Sequence, residues 1–397
     1  MKLRSFVARM ASGVSLIALL GSPSVAFALG LIIDGGAIVT VPGTESSPWH
    51  VGFGLHVGSI GTGTVLVENG GIVGSSYGYI GDRSGGGAGF VTVSGAGSQW
   101  NASYGPPQLY LGTLAVGNYG TGTLLVENGG IVSSILGYIG YMSGSTGSAT
   151  VSGAGSQWNN SGDLYVGRYG TGTLLVENGG VVSNINGTIG SDPGVTGSVT
   201  VSGAGSQWNN SGNLIVARRS LGTLLVENGG MVQAVVVEIA YSSNSSGILA
   251  IGGLSGSSPS APGTIAASVI RFGTNGSGLG DGHIVFNHTD TGYTFASQIT
   301  DTNSFGTIDV RAGVTTLTGV NSSIGTVTVN SGELAFGQNG LFTTGAYTAT
   351  TAGAITSVGA TSQLAVTNLF RQTTILNVAI GSNVTGNAPV ISAVILS

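Results

Sequence analysis

The pentapeptide Val-Glu-Asn-Gly-Gly occurs four times, at Val67 to Gly71, Val126 to Gly130, Val176 to Gly180 and Val226 to Gly230, and it sets a period on the chain. Its glutamates, Glu68, Glu127, Glu177 and Glu227, are separated by 59, 50 and 50 (127−68, 177−127, 227−177). Self-similarity at a fixed period near fifty residues requires a repeat architecture, in which units that cannot bury an apolar face alone stack on one another. A second marker keeps the same phase. Trp49, Trp158 and Trp208 precede the next repeat glutamate by one constant interval of 19 (68−49, 177−158, 227−208), whereas Trp100 precedes its own by 27 (127−100). The eight extra residues fall around Tyr104-Gly105-Pro106-Pro107 and leave both flanking boxes intact, as a loop on the outside of a stack would.

Each fifty-residue unit is itself a doublet. At a constant offset of 25 (199−174, 224−199, 249−224), Leu174 and Val176 recur as Val199 and Val201, then as Leu224 and Val226, then as Leu249 and Ile251. Within each run the apolar residues alternate with polar or partly polar ones, the period-2 signature of a strand with one buried face. A Gly-rich corner follows, Asn178-Gly179-Gly180 in one half and Gly203-Ala204-Gly205 in the other, suited to backbone with positive φ. Two further short apolar runs complete each half. Three short strands with tight corners in that length predict one coil of an all-β, right-handed parallel β-helix (β-solenoid). A propeller, whose blades match the whole unit in length, needs four antiparallel strands and gives no reason for the equivalence of its halves. Beyond Gly252 to Gly263 the spacing shortens: Gly306-Thr307-Ile308-Asp309-Val310 and Gly325-Thr326-Val327-Thr328-Val329 are offset by only 19 (325−306). A coil therefore takes about 20–25 residues.

The organisation expected is a signal peptide over residues 1–28, a β-helix of double-coil repeats over 29–251, irregular transition coils over 252–303 and a shorter-coil β-helix over 304–397. The leader is read from basic Lys2, Arg4 and Arg9, an apolar core from Val14 to Leu20, and a small-x-small cleavage site at Ala26-Phe27-Ala28. A membrane anchor would need about 20 apolar residues, and Gly21, Ser22 and Pro23 interrupt this core.

Composition narrows the chemistry. Only 6% of the residues are charged, yet 41% are hydrophobic and the mean hydropathy is +0.39, so low charge here does not mean disorder. Removing the leader takes away the one lysine and two arginines, moving the formal charge from −5 to −8 (−5 − 3). An acidic chain without lysine has no electrostatic footprint for a phosphate backbone, which argues against nucleic acid as a partner. The absence of cysteine removes disulfides, thiolate catalysis and cysteine-ligated metals together.

No catalytic, cofactor-binding or metal-ligating residue is assigned, and no cofactor is implied. The four repeat glutamates sit on every second coil, about 10 Å apart along the stack, and are read as solvated edge residues. The tryptophans are read as fillers of a wide corner, with sugar stacking as the alternative if they are exposed. His50, His56, His283 and His288 carry no metal-site spacing, and neither HExxH nor GxSxG occurs. The run Gly85-Gly86-Gly87 lacks the Lys-Ser/Thr of a phosphate loop.

The units GTGTLLVENGG and GSVTVSGAGSQWNNSGDLYVG resemble passenger regions of bacterial autotransporters. The segment Gly306 to Gly337 resembles the autotransporter-associated β-strand repeat, and His283 to Ile299 is similar to what precedes that repeat in such passengers. The resemblance implies type V secretion and a non-enzymatic passenger at the cell surface, outer-membrane-associated or extracellular, acting as an adhesin-like or structural stalk toward a host matrix protein or glycan. It also implies an outer-membrane translocator barrel, which residues 1–397 do not contain; the chain is then either a passenger fragment or one served by a barrel elsewhere. The competing class is a polysaccharide-acting, pectate-lyase-like β-helix enzyme, which needs acidic and basic residues clustered on one face. A non-functional remnant is the third reading.

Overall fold

A computed structural model describes residues 6–9, 14–18 and 28–395, apart from short stretches at 52, 84–85, 104–111, 274–279, 302–304, 320, 338–340, 350–354, 359–362, 372–374 and 379–390; side chains are described between Gly30 and Gly337, except in those stretches and at 321–323. The insertion at Tyr104 to Pro107 and residues Ala26 and Phe27 of the expected cleavage site lie outside the described residues. The chain is an all-β parallel β-solenoid. It divides into two compact units, residues 1–199 with 205–209, and residues 200–204 with 210–397.

In the first unit every coil visits three faces in turn. The long face carries Ala37–Val41, Thr62–Val67, Ala88–Ser94, Thr121–Glu127, Thr146–Ser152 and Thr171–Glu177, each parallel to the next. The second face carries the tryptophans on Gln99–Asn101 and Gln157–Asn160. The third runs through Gly54–Val57, Tyr77–Ile80, Thr113–Val116, Leu136–Ile139 and Leu164–Val166. Thr121 pairs with Thr146, and Thr146 with Thr171, so the rung-to-rung step (146−121, 171−146) equals the offset of the sequence doublet. Across the insertion, Ala88 pairs with Thr121 and the step becomes 33 (121−88), with the long face still in register. Residues 6–9 and 14–18 form an antiparallel pair, and 14–18 pairs on to Ala28–Ile33.

The alternation of the long strands decides what is buried. Leu174, Val176, Val199 and Val201 are fully buried, as are Leu224, Val226, Leu249 and Ile251 in the second unit. Each coil adds two such side chains on this face alone, and burial of one Val or Leu side chain stabilises by about 1.5–3 kcal/mol. Because every residue sits over its equivalent, a shift of one position would turn both outward and forfeit that burial.

The Asn-Gly-Gly corner is a tight turn with three distinct demands. Asn178 and Gly179 both have positive φ, 53° and 87°, and Gly180 N–H donates to Glu177 C=O at 2.9 Å. Two successive positive-φ residues closed by that bond form a type I′ turn, the reason for Asn-Gly. Gly180 has ordinary φ, but a Cβ there would stand 2.3 Å from the carbonyl oxygen of Val151 on the preceding rung. The alternate corner supplies partners: buried Ser206 accepts from Gly179 N–H at 3.0 Å, and Asn178 Nδ2 donates to Ser152 Oγ at 3.1 Å. The same contacts recur one unit earlier, with Ser156 accepting from Gly129 N–H and Asn128 donating to Ser94.

The second unit, described by itself, has a long face of parallel strands Leu221–Glu227, Ser246–Gly252, Asp281–Asn287, Thr307–Ala312 and Asn321–Val329. Its steps are uneven: 25 from Leu221 to Ser246 (246−221), 35 on to Asp281 (281−246), 24 from His283 to Thr307 (307−283) and 19 from Thr307 to Thr326 (326−307). The shortest step has a structural cause. Asn321–Val329 is one nine-residue strand that pairs with the third-face strand Gln298–Asp301 through Ser322 and with the long-face strand Thr307–Ala312 through Thr326 to Val329. Two faces are served by one strand, and the residues of the corner between them are dispensed with.

Candidate functional site: a tyrosine and arginine edge

The repeat glutamates are half-buried on the outward side of the long face. Glu127 stands between Ser94 and Ser152 on the neighbouring rungs, and Ser152 in turn stands between Glu127 and Glu177. The doublet therefore inserts a neutral hydroxyl between successive carboxylates, and Ser94 donates to Glu127 at 3.2 Å. Two carboxylates two rungs apart, roughly 10 Å, share no ion.

Trp100, Trp158 and Trp208 are at most 1% exposed, so no ring face is open to a sugar. Each indole N–H has a buried acceptor: Ser75 Oγ at 3.0 Å, Ser134 Oγ at 3.2 Å and Asn184 Oδ1 at 2.7 Å. The neighbouring third-face glycines make the room, since a Cβ on Gly78 would lie 2.3 Å from the Trp100 ring and one on Gly137 3.2 Å from Trp158. Trp49 is only half-buried.

The histidines do not converge. His50 is exposed, and His283 pairs with exposed Asp281 at 2.7 Å. His56 holds Asp82 at 2.7 Å through Nδ1 and faces the Tyr77 hydroxyl at 3.3 Å through Nε2, while Asn118 donates to the other oxygen of Asp82 at 2.7 Å. Burial pushes the Asp82 carboxyl up, but the His56 and Asn118 contacts outweigh it and hold its pKa below the usual value. His288 is wholly buried, with Nε2 against Thr315 Oγ1 at 2.7 Å; burial depresses its pKa despite nearby Asp290. Among the described residues no group of three His, Asp or Glu side chains is placed to hold a metal ion.

What the structure does bring together lies on the third face of the first unit and the corner after it. The outward position of successive rungs is His56, Tyr79, Ala115, Tyr138 and Tyr165. Tyr138 stacks on Tyr165 with centroids 5.3 Å apart and on Tyr141 at 4.2 Å, both at 18°. The corner residues Asn118-Tyr119, Tyr141-Met142 and Arg168-Tyr169 follow on consecutive coils. Arg168 lies over four rings, with its guanidinium carbon 4.9, 5.4, 5.2 and 5.2 Å from the centroids of Tyr138, Tyr141, Tyr165 and Tyr169. Burial alone would lower the Arg168 pKa, but Tyr138, Tyr141 and Tyr169 outweigh it and the pKa rises, so this cation is permanent. Burial correspondingly pushes the Tyr138 phenol up.

Arg168 differs from the arginines of the second unit that have carboxylate partners, Arg271 on Glu238 at 3.4 Å and Arg311 on Asp309 at 2.6 Å. Among the described residues no carboxylate lies within ion-pair distance of Arg168, or of exposed Arg83 at the equivalent corner three coils earlier, Asp82-Arg83. Tyr119 and Tyr169, two rungs apart, are 45% and 42% exposed. The arrangement combines a fixed, unneutralised planar cation with open aromatic rings, which suits a ligand having both an anionic group and an apolar face.

In the sequence, tryptophan stands out as the recurring aromatic and this edge does not. Its signal is present in Gly117-Asn118-Tyr119-Gly120 and Gly167-Arg168-Tyr169-Gly170, fifty apart, but the stacked tyrosines behind them are spaced irregularly. Comparison with protein-family models, curated proteins and solved structures returns no match for this chain.

Proposed function

We propose that the chain is a non-enzymatic β-helical passenger of the autotransporter type, exported to the cell surface, where its solenoid acts as an adhesin-like or structural stalk. The fold is compatible with that role, and the observation that carries it is the Arg168 cluster. In this reading it is a contact surface: a cation held by aromatic rings at a corner of the coil, with no carboxylate in ion-pair distance among the described residues and Asp163 reached only through the Tyr165 hydroxyl at 3.4 Å. The repeat carboxylates, interleaved with serine, serve solubility on the long face in this reading. The pectate-lyase-like alternative shares this fold and needs several carboxylates and a base in one groove; polysaccharide turnover is the property that separates the two readings.

The test has two arms. The chain produced with its own leader in a Gram-negative host, together with a translocator barrel, is expected to become accessible to antibody and protease on intact cells. Purified chain is expected to bind immobilised matrix proteins or glycans without generating reducing ends or unsaturated products from pectin, polygalacturonate or other polysaccharides. Retention inside the cell, or turnover of any polysaccharide, would replace this reading with one of its alternatives.

A further inference from the structure

Building on the surface-binding reading, we propose that the Arg168 edge is a binding site for a linear acidic polysaccharide, one whose sugars carry carboxylate or sulfate groups. Three observations lead there. The guanidinium is pre-positioned by four tyrosine rings and has no carboxylate partner among the described residues, in a chain whose acids outnumber its bases by 15 to 10. A planar, fixed guanidinium binds carboxylate or sulfate through two parallel hydrogen bonds, and ordering it in advance removes much of the entropic cost. Two rings on this corner are exposed: Tyr169, on the rung of Arg168 and itself one of the four rings, and Tyr119, two rungs earlier, roughly 10 Å away. That spacing suits an extended chain lying along the stack, with the C–H faces of its sugars on the rings and its acidic groups on Arg168 and Arg83.

A neutral glycan would leave the cation unused. Nucleic acid is disfavoured by the chain's acidic balance and by its single lysine, at position 2, since phosphate-backbone binding draws on many cations in a row. An acidic protein segment would satisfy Arg168 but supplies no repeating apolar face for the two exposed tyrosines.

The experiment is binding of the full chain to heparin, polygalacturonate and neutral dextran by isothermal titration calorimetry and by retention on immobilised polysaccharide, at 50 and 300 mM NaCl. The expected result is binding to one or both acidic polymers, none to dextran, and weakening by salt. Preference for heparin assigns sulfate; preference for polygalacturonate assigns carboxylate. Arg168→Gln is expected to weaken binding at least tenfold, Arg168→Lys to recover only part of it, and Tyr119→Ala, which alters an exposed ring away from the guanidinium, and Tyr169→Ala, which removes an exposed ring that also supports Arg168, to weaken it about three- to tenfold. Arg311→Gln, in the second unit, should leave it unchanged. Circular dichroism of each variant separates lost binding from lost folding, and the two tyrosine variants keep the test intact should Arg168→Gln not fold. Equal binding to dextran, no binding to either acidic polymer, or binding unaffected by Arg168→Gln and both tyrosine variants would overturn the proposal. If matrix-protein binding and surface exposure persist in that case, the adhesive reading stands and only the ligand class is wrong.

Discussion

The Asn178-Gly179-Gly180 corner gives a stability series in which three adjacent residues should respond for three different reasons. Gly180→Ala places a Cβ 2.3 Å from the Val151 carbonyl oxygen and 2.7 Å from its carbon, both backbone atoms of the preceding rung. Neither can move without displacing a long-face strand, so the overpacking cost is expected to reach about 3 kcal/mol or more. Gly179→Ala meets nothing nearer than 3.4 Å, and its cost comes from φ of +87°. A left-handed conformation costs a non-glycine residue about 1–2 kcal/mol, and the restricted unfolded chain returns about 0.4–1, leaving about 1 kcal/mol. Asn178→Gly relieves a positive φ but gives up the exposed bond to Ser152, and the two should cancel to within about 0.5 kcal/mol. Hydrogen exchange read by mass spectrometry on the coils around residues 146–184, with urea unfolding followed by tryptophan fluorescence, reports the local loss, which a stacked repeat need not spread over the chain. If Gly180→Ala were no worse than Gly179→Ala, the close approach of successive rungs at this corner would be refuted.

Three other perturbations test separate parts of the structure. Trp158→Ala removes a fully buried indole and its bond to Ser134, and should cost about 3–5 kcal/mol by urea unfolding, against a smaller loss for half-buried Trp49. Ser152→Glu would stack three carboxylates on consecutive rungs; each of two neighbours at about 4.8 Å in water repels by about 0.9 kcal/mol, so a loss approaching about 2 kcal/mol at low salt that shrinks in 1 M NaCl is expected. His288 has a folded pKa below its unfolded value of 6.5, so the unfolded chain binds the proton more readily; its contribution is complete above that value and drains away as pH falls through the folded pKa. The urea midpoint of the second unit should therefore decline between pH 7.5 and 5.5, and His288→Asn should flatten that decline.

The register was legible because it rests on exact spacing: Leu174 and Val199 in the first unit, and Leu224 and Leu249 in the second, are fully buried as their constant interval requires. The corner chemistry was legible for the same reason, since Asn-Gly announces positive φ wherever it occurs. The role of the third glycine was not, because Gly180 has no unusual dihedral and is required only by the Val151 carbonyl, adjacent in space but a full coil away in sequence. Coil shortening was visible as the tightened step from Thr307 to Thr326, but not its cause, the merging of two faces into Asn321–Val329. The tyrosine edge was missed because His56, Tyr79, Ala115, Tyr138 and Tyr165 stand at uneven intervals of 23, 36, 23 and 27 (79−56, 115−79, 138−115, 165−138). Corner loops absorb those differences in space, whereas a search at one period does not find them.

The fold and the proposed function both depend on rungs pairing in parallel at the stated register, and the absence of native cysteine allows a direct test. Thr123 and Ser148 are outward partners on adjacent rungs, about 4.8 Å apart between strands, within the Cα range of a disulfide. Thr123 and Thr150 lie on the diagonal, about 8 Å apart and beyond that range. The double variant Thr123→Cys/Ser148→Cys should oxidise readily to an intramolecular bond in the native chain, and Thr123→Cys/Thr150→Cys should remain reduced. Bonding of the second pair in preference to the first, or of neither, would contradict the parallel solenoid on which the proposed surface function is built.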